Sequence, residues 1–177
     1  MSKNRRAING AVHHLTRGAV IAALYTVLTL LANAFGLANN AVQLRFSEAL
    51  CVLPAFMPEA VPGLFIGCVI SNILTGCALW DVVFGSLATL IGAFFTMLFF
   101  NSRAGKSRLI WLAPLPPVIS NTLIIPFVIS YVYGSENSIP FLMLTVGAGE
   151  LLSCALLGTL LTAVIMRRFP HIAGGGK

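Results

Sequence analysis

From Val82 to Phe100 the chain runs without a single charged residue, and comparable apolar runs recur along its length. A bilayer core about 30 Å thick is crossed by about 20 apolar residues of α-helix, so runs of this kind restrict the chain to membrane folds. The composition agrees: of 177 residues 58% are hydrophobic and 9% charged, and the mean hydropathy is +0.92. A soluble domain carries about 25% charged residues. The expected fold is an all-α membrane protein, a single integral domain over residues 1–177.

The apolar runs predict six transmembrane helices, over about residues 15–35, 46–57, 61–79, 82–100, 109–133 and 139–166. The second is short, with Pro54 inside it and Pro58 just beyond, and a dozen residues suit a re-entrant segment as well as a span. The fifth carries Pro114, Pro116 and Pro117 near its start and Pro126 further on. The first run is too long for the core of a cleaved secretion signal, and no small-residue cleavage site follows it. No internal repeat is visible, and only Gly174–Gly176 is low in complexity.

Orientation follows from the basic residues. Lys3, Arg5, Arg6 and Arg17 precede or open the first helix; Arg103, Lys106 and Arg108 lie between the fourth and fifth; Arg167, Arg168 and Lys177 follow the sixth. Six spans with both termini cytoplasmic put these ten of the eleven basic residues inside and leave Arg45 outside. Five spans could not bring all three clusters to one side. The net charge of +6 is therefore read as an orientation signal, and no nucleic-acid partner is expected.

The same topology gathers polar groups in the outer half of the bundle. Arg45 and Glu48, three residues apart, either form an i,i+3 ion pair that caps the second helix or belong to a binding mouth with Asn39, Asn40 and Gln43. Asp81 either N-caps the fourth helix or joins the substrate-binding residues, and Glu136 is expected to sit in a solvated loop. Glu59 falls in the short inner loop between the second and third helices. Asn72 and Trp80 share the outward bias, and Asn121 stands mid-helix. Glu150 is the sharpest single residue: a carboxylate within an apolar span needs a partner, a proton or a ligand. The small residues Gly147, Ala148 and Gly149 beside it leave room for a neighbouring helix or a flat ligand.

Gly18 with Ala22, and Ala19 with Ala23, place small residues one helical turn apart, a pattern used for packing inside a bundle or for docking a separate subunit. Cys51, Cys68, Cys77 and Cys154 lie in apolar segments without metal spacing and read as small buried hydrophobes. His13 and His14 read as interface residues beside basic neighbours. The chain has no phosphate loop, HExxH or GxSxG, so no catalysis, metal or cofactor is expected.

Three blocks in order, Val42-Gln43-Leu44-Arg45-Phe46-Ser47-Glu48-Ala49-Leu50, Pro62-Gly63-Leu64-Phe65-Ile66-Gly67-Cys68 and Asp81-Val82-Val83-Phe84-Gly85-Ser86-Leu87-Ala88-Thr89, resemble the QueT family. Its members are proposed queuosine-precursor transporters, substrate-binding S components of energy-coupling factor (ECF) transporters. The resemblance implies a six-helix, multi-pass protein of a prokaryotic cell membrane with cytoplasmic termini. It implies a 7-deazaguanine substrate, such as queuine or a biosynthetic precursor, captured near the outer face. It also implies a membrane coupling subunit and two cytoplasmic ATPases as partners, with Ala19 and Ala23 matching the family's AxxxA docking motif. Stacking on Trp80 or Phe84 and hydrogen bonds from buried Asn and Glu would then hold the base, with Glu150 first and Glu48 second to read its edge. The rival reading is a stand-alone proton-coupled carrier of a small polar metabolite with Glu150 as the titrating group; a membrane-embedded enzyme is a weaker third.

Overall fold

The structure, a computed structural model, describes residues 2–37, 44–101 and 108–169. Asn39, Asn40, Gln43, Arg103, Lys106 and Lys177 lie outside the described residues. The elements are helix α1 (Ser2–Ala34), a 3₁₀ helix (Phe46–Ala55), α2 (Ala60–Leu74), α3 (Leu79–Phe100), a short 3₁₀ turn (Arg108–Leu112), α4 (Leu115–Val132) and α5 (Ile139–Glu150). A π-helical stretch (Leu151–Leu157) carries α5 into α6 (Gly158–Arg168). No strand forms among the described residues.

Among the described residues, four helical stretches are long and apolar enough to cross a bilayer: Gly10–Ala34, Leu79–Phe100, Leu109–Val132 and Ile139–Arg168. The other two expected spans, Phe46–Ala55 and Ala60–Leu74, are apolar but shorter. At ~1.5 Å per residue the 15 residues of α2 reach roughly 22 Å, short of a full hydrocarbon core of about 30 Å.

Where the elements depart from the sequence reading, local chemistry explains most of it. Helix α1 begins at Ser2, not Leu15, because no proline or capping break interrupts the polar stretch ahead of the apolar run. The second segment winds as 3₁₀ because Pro54 offers no N–H and its ring crowds the carbonyl four residues back. Helix α2 stops at Leu74, five residues before the expected end. There Gly76, at φ 73°, lets the Cys77 N–H fold back to the Asn72 carbonyl at 3.0 Å, a Schellman closure. Gly36 (φ 70°) closes α1 the same way, with the Leu37 N–H on the Ala32 carbonyl at 3.0 Å. The prolines at 114, 116 and 117 delay α4 to Leu115, where two of them fall in the unbonded first turn that tolerates proline.

The exterior is apolar, and polar side chains are buried alongside a hydrophobic core. Leu24, Val27 and Leu31 of α1 and Phe94, Phe95, Leu98 and Phe99 of α3 are exposed, while Glu48, Asn72, Asp81, Thr89, Asn121 and Glu150 are buried. Water would penalise that arrangement and lipid favours it. Glycines set the closest helix crossings. A Cβ on Gly63 would lie 2.6 Å from the Gly18 carbonyl oxygen, one on Gly67 2.8 Å from that of Ala22, and one on Gly92 2.6 Å from Pro117 Cα. So α1 meets α2, and α3 meets α4, backbone to backbone. The 3₁₀ helix runs through the middle, packed against α1, α2, α3, α6 and the π stretch.

Candidate functional site

At the end of the bundle where α1, α2 and α4 finish and α3 starts lies a cavity of about 230 Å³. Thr29 and Asn33 line it from α1, Arg45 from the entry of the 3₁₀ helix, Asn72, Thr75 and Cys77 from the end of α2, and Asp81 from the start of α3. Ile125, Ile129 and Tyr133 complete the wall from α4. An apolar wall facing amides, a carboxylate and a guanidinium is the usual build of a small-ligand site.

Asp81 does not N-cap α3. The cap position is Ala78, and Asp81 lies within the first turn, where a carboxylate is favoured by the helix dipole. Its Oδ2 accepts a 3.0 Å hydrogen bond from Tyr133 Oη, whose oxygen in turn accepts the Ala78 N–H at 3.2 Å. The phenol hydroxyl donates and so holds Asp81 in place.

One helical turn below Thr29 and Ile125 lies a second polar layer. Tyr25 Oη donates to Glu48 Oε1 at 2.5 Å, while Cys51 Sγ and Asn121 Nδ2 approach Oε2 at 3.1 and 3.5 Å. No ion pair links Arg45 with Glu48 among the described residues: the carboxylate turns inward to these three donors, and Arg45 lines the cavity. Of the two readings of this pair, the i,i+3 ion pair is thus not formed. Thr29 Oγ1 donates to Ser47 Oγ at 2.8 Å, and the Arg45 N–H bonds Ser153 Oγ, presented by the π stretch, at 3.1 Å. Glu150, 8% exposed, lies within reach of the Asn121 amide but leaves Oε2 without a hydrogen-bond partner among the described residues.

The structure therefore brings Arg45, Asn72 and Asp81 to the cavity, and Glu48, Asn121 and Glu150 to the layer beneath it. Trp80 and Phe84 lie elsewhere. They are 59% and 41% exposed and stack on each other with ring centroids 6.0 Å apart, outside the cavity wall. Glu136 is exposed in its loop, as expected. Sequence reasoning missed Tyr25, Thr29, Thr75, Cys77 and Tyr133. A signal for the inner face of α3 was present: Asp81, Gly85, Thr89, Gly92 and Thr96 recur at helical spacing and are all buried.

The small residues of α1 divide. Gly18 and Ala22 face α2, against Gly63 and Gly67; Ala19 and Ala23 are exposed. Beside them runs an open, apolar groove of about 750 Å³ between α1 and α2, with Leu15, Val27, Pro62, Ile66 and Ile70 along it. At its end away from the cavity, Glu59 accepts from Arg17 Nη1 at 3.1 Å and meets His14 Nδ1 at 3.2 Å. Burial raises the Glu59 carboxyl, but its backbone N–H and the hydrogen bonds from Arg17 and His14 outweigh this and hold it below its ordinary value.

A helical bundle with an apolar exterior, buried polar side chains and a small polar cavity at one end defines a multi-pass membrane protein able to hold a small polar molecule. The QueT transporter family profile matches residues 15–167, and the chain belongs to that family. The family likeness read from the three sequence blocks is thereby borne out. A curated relative, the queuosine precursor transporter QueT of Lactococcus lactis subsp. cremoris (strain MG1363), is 36% identical over 74 residues, 41% of this chain and 43% of the relative. The match thus spans less than half of the relative's length. No solved structure matches the chain.

Proposed function

We propose that this chain, as a single integral domain, is the substrate-binding S component of an ECF-type transporter in a prokaryotic cell membrane. It captures a 7-deazaguanine, queuine or one of its precursors, for uptake driven by ATP hydrolysed on partner subunits. The observation that carries this reading is the cavity at the end of a QueT-family bundle, lined by Arg45, Asn72 and Asp81 against Ile125 and Ile129. It is sized for a small flat molecule, and the relative's name supplies the substrate class.

In this reading all six apolar segments, including the two short ones, cross or line the membrane, and both termini are cytoplasmic. Arg17, at the first turns of the apolar part of α1, and Arg167 and Arg168, at the end of α6, stand at the end of the bundle opposite the cavity. The positive-inside bias then turns the cavity outward. The groove beside Ala19 and Ala23 receives the coupling subunit, because close approach of small-residue faces is a main attraction between helices in lipid. The test is assembly: coexpression should copurify a coupling subunit and two ATPases, and the chain alone in liposomes should move no substrate under a pH gradient.

One observation favours a second reading. Oε2 of Glu150, buried and without a hydrogen-bond partner among the described residues, suits a proton-coupled carrier of a small polar metabolite. Uptake by the chain alone, driven by a pH gradient and lost in Glu150→Gln, would establish that reading and displace the first.

A further inference from the structure

We infer that Asp81, Asn72 and the space above Gly85 form the subsite that selects the ligand's hydrogen-bonding edge, accepting a planar heterocycle with adjacent N–H donors. The inference rests on the cavity being the substrate site.

A glycine inside a helix costs about 1 kcal/mol relative to alanine, so its retention needs a reason. Gly63, Gly67 and Gly92 have one: a Cβ there would come within 2.6 to 2.8 Å of another helix's backbone. Gly85 differs. The three nearest atoms that a Cβ on it would meet beyond its own helix backbone belong to cavity side chains: Asn72 Nδ2 at 3.3 Å, Asp81 Oδ1 at 3.6 Å and Ile125 Cδ1 at 3.9 Å. It would project between an amide, a carboxylate and an apolar wall. The missing side chain leaves a slot there, between Asn72, Asp81 and Ile125.

The chemistry of the slot follows from what its walls have left to offer. Tyr133 engages Asp81 Oδ2, which leaves Oδ1 facing the slot. The Asn72 Nδ2 makes a 3.6 Å contact to Cys68 Sγ, a weak partner for an amide. An ionised carboxylate accepts and cannot donate. It therefore matches a ring N–H beside an exocyclic amine, the edge a deazaguanine presents. An adenine-like edge sets a ring acceptor against that oxygen and leaves a buried polar atom unpaired. Asp81, not Glu150 or Glu48, is then the carboxylate that reads the edge, since the other two stand a turn below the cavity.

Calorimetric titration of the full chain in detergent with 7-deazaguanine and with 7-deazaadenine tests this. Wild type should prefer 7-deazaguanine. Asp81→Asn should lower its affinity by about tenfold or more and narrow the preference, because an Asn amide pairs with the acceptor–donor pattern of the adenine edge. Gly85→Ala should weaken 7-deazaguanine by a similar factor while leaving the melting temperature unchanged or raised, the reverse of a packing role. A wild-type preference in Asp81→Asn, or wild-type affinity in Gly85→Ala, would overturn the inference while leaving the transport reading intact. Should Asp81→Asn not fold, Gly85→Ala decides alone. A wild-type chain that binds neither base overturns both the inference and the substrate class proposed above.

Discussion

Tyr25, in the middle of α1, donates a 2.5 Å hydrogen bond to Glu48 on the central 3₁₀ helix. Both residues are 1% exposed, so the bond ties the outer wall of the bundle to its core strut where water cannot substitute. Removing the hydroxyl leaves a buried carboxylate oxygen without that donor. Tyr25→Phe should therefore destabilise the chain by about 1–3 kcal/mol, read as a drop in thermal unfolding temperature in detergent. An unchanged unfolding temperature would mean that the remaining partners, Cys51 and Asn121, satisfy Glu48 alone.

The two small-residue faces of α1 should respond differently to added bulk. Gly67→Ala pushes a methyl against the Ala22 carbonyl and Tyr25 Cβ, each 2.8 Å away, and should cost about 1–3 kcal/mol of stability. Replacing Ala19 and Ala23, both exposed, with Leu should leave unfolding and ligand affinity nearly unchanged while abolishing copurification of the coupling subunit. Equal loss of stability in the Ala19/Ala23 variant would assign that face to internal packing.

The Glu59 cluster gives a pH dependence with a definite sign. Its carboxyl is held below the ordinary value of 4.5, so the native state favours the ionised form. The stability it adds is fully present above pH 4.5 and is lost as pH falls through the lowered native value. Glu59→Gln should flatten that acid limb of the unfolding-temperature profile and leave the neutral region less affected. A limb of the same depth in the variant would mean that other groups carry it.

Glu150→Gln tests whether that carboxylate touches the ligand. Glu150 lies outside the cavity wall, so the variant should bind 7-deazaguanine within about threefold of wild type, as expected for a group with no direct ligand contact. A loss of tenfold or more would bring Glu150 into the binding site.

How far the residues alone carried the fold depends on what fixes each feature. The apolar runs reported where helices lie, because lipid thickness sets their length, and Glu150 stood out because a carboxylate in such a run has few explanations. The phase of a helix is harder. In α3 nearly every residue is apolar, so Trp80 and Phe84 looked as ready to face a ligand as Asp81, yet the polar and small stripe Asp81-Gly85-Thr89 turns inward and carries both aromatics out. The convergence of Arg45, Asn72 and Asp81 was legible from their shared depth. Tyr133 was not, because its hydroxyl reaches Asp81 from 52 residues away. The 3₁₀ winding had a cause on view in Pro54; the π stretch after Glu150 had none.

The central claim, that this chain by itself is a receptor for one 7-deazaguanine, is tested most directly by native mass spectrometry of the full chain released from detergent after incubation with queuine. The account predicts a single adduct of queuine mass per chain, displaced by excess 7-deazaguanine but not by adenine. A chain that stays free of adduct at saturating queuine, or one whose adduct adenine displaces equally well, would contradict it.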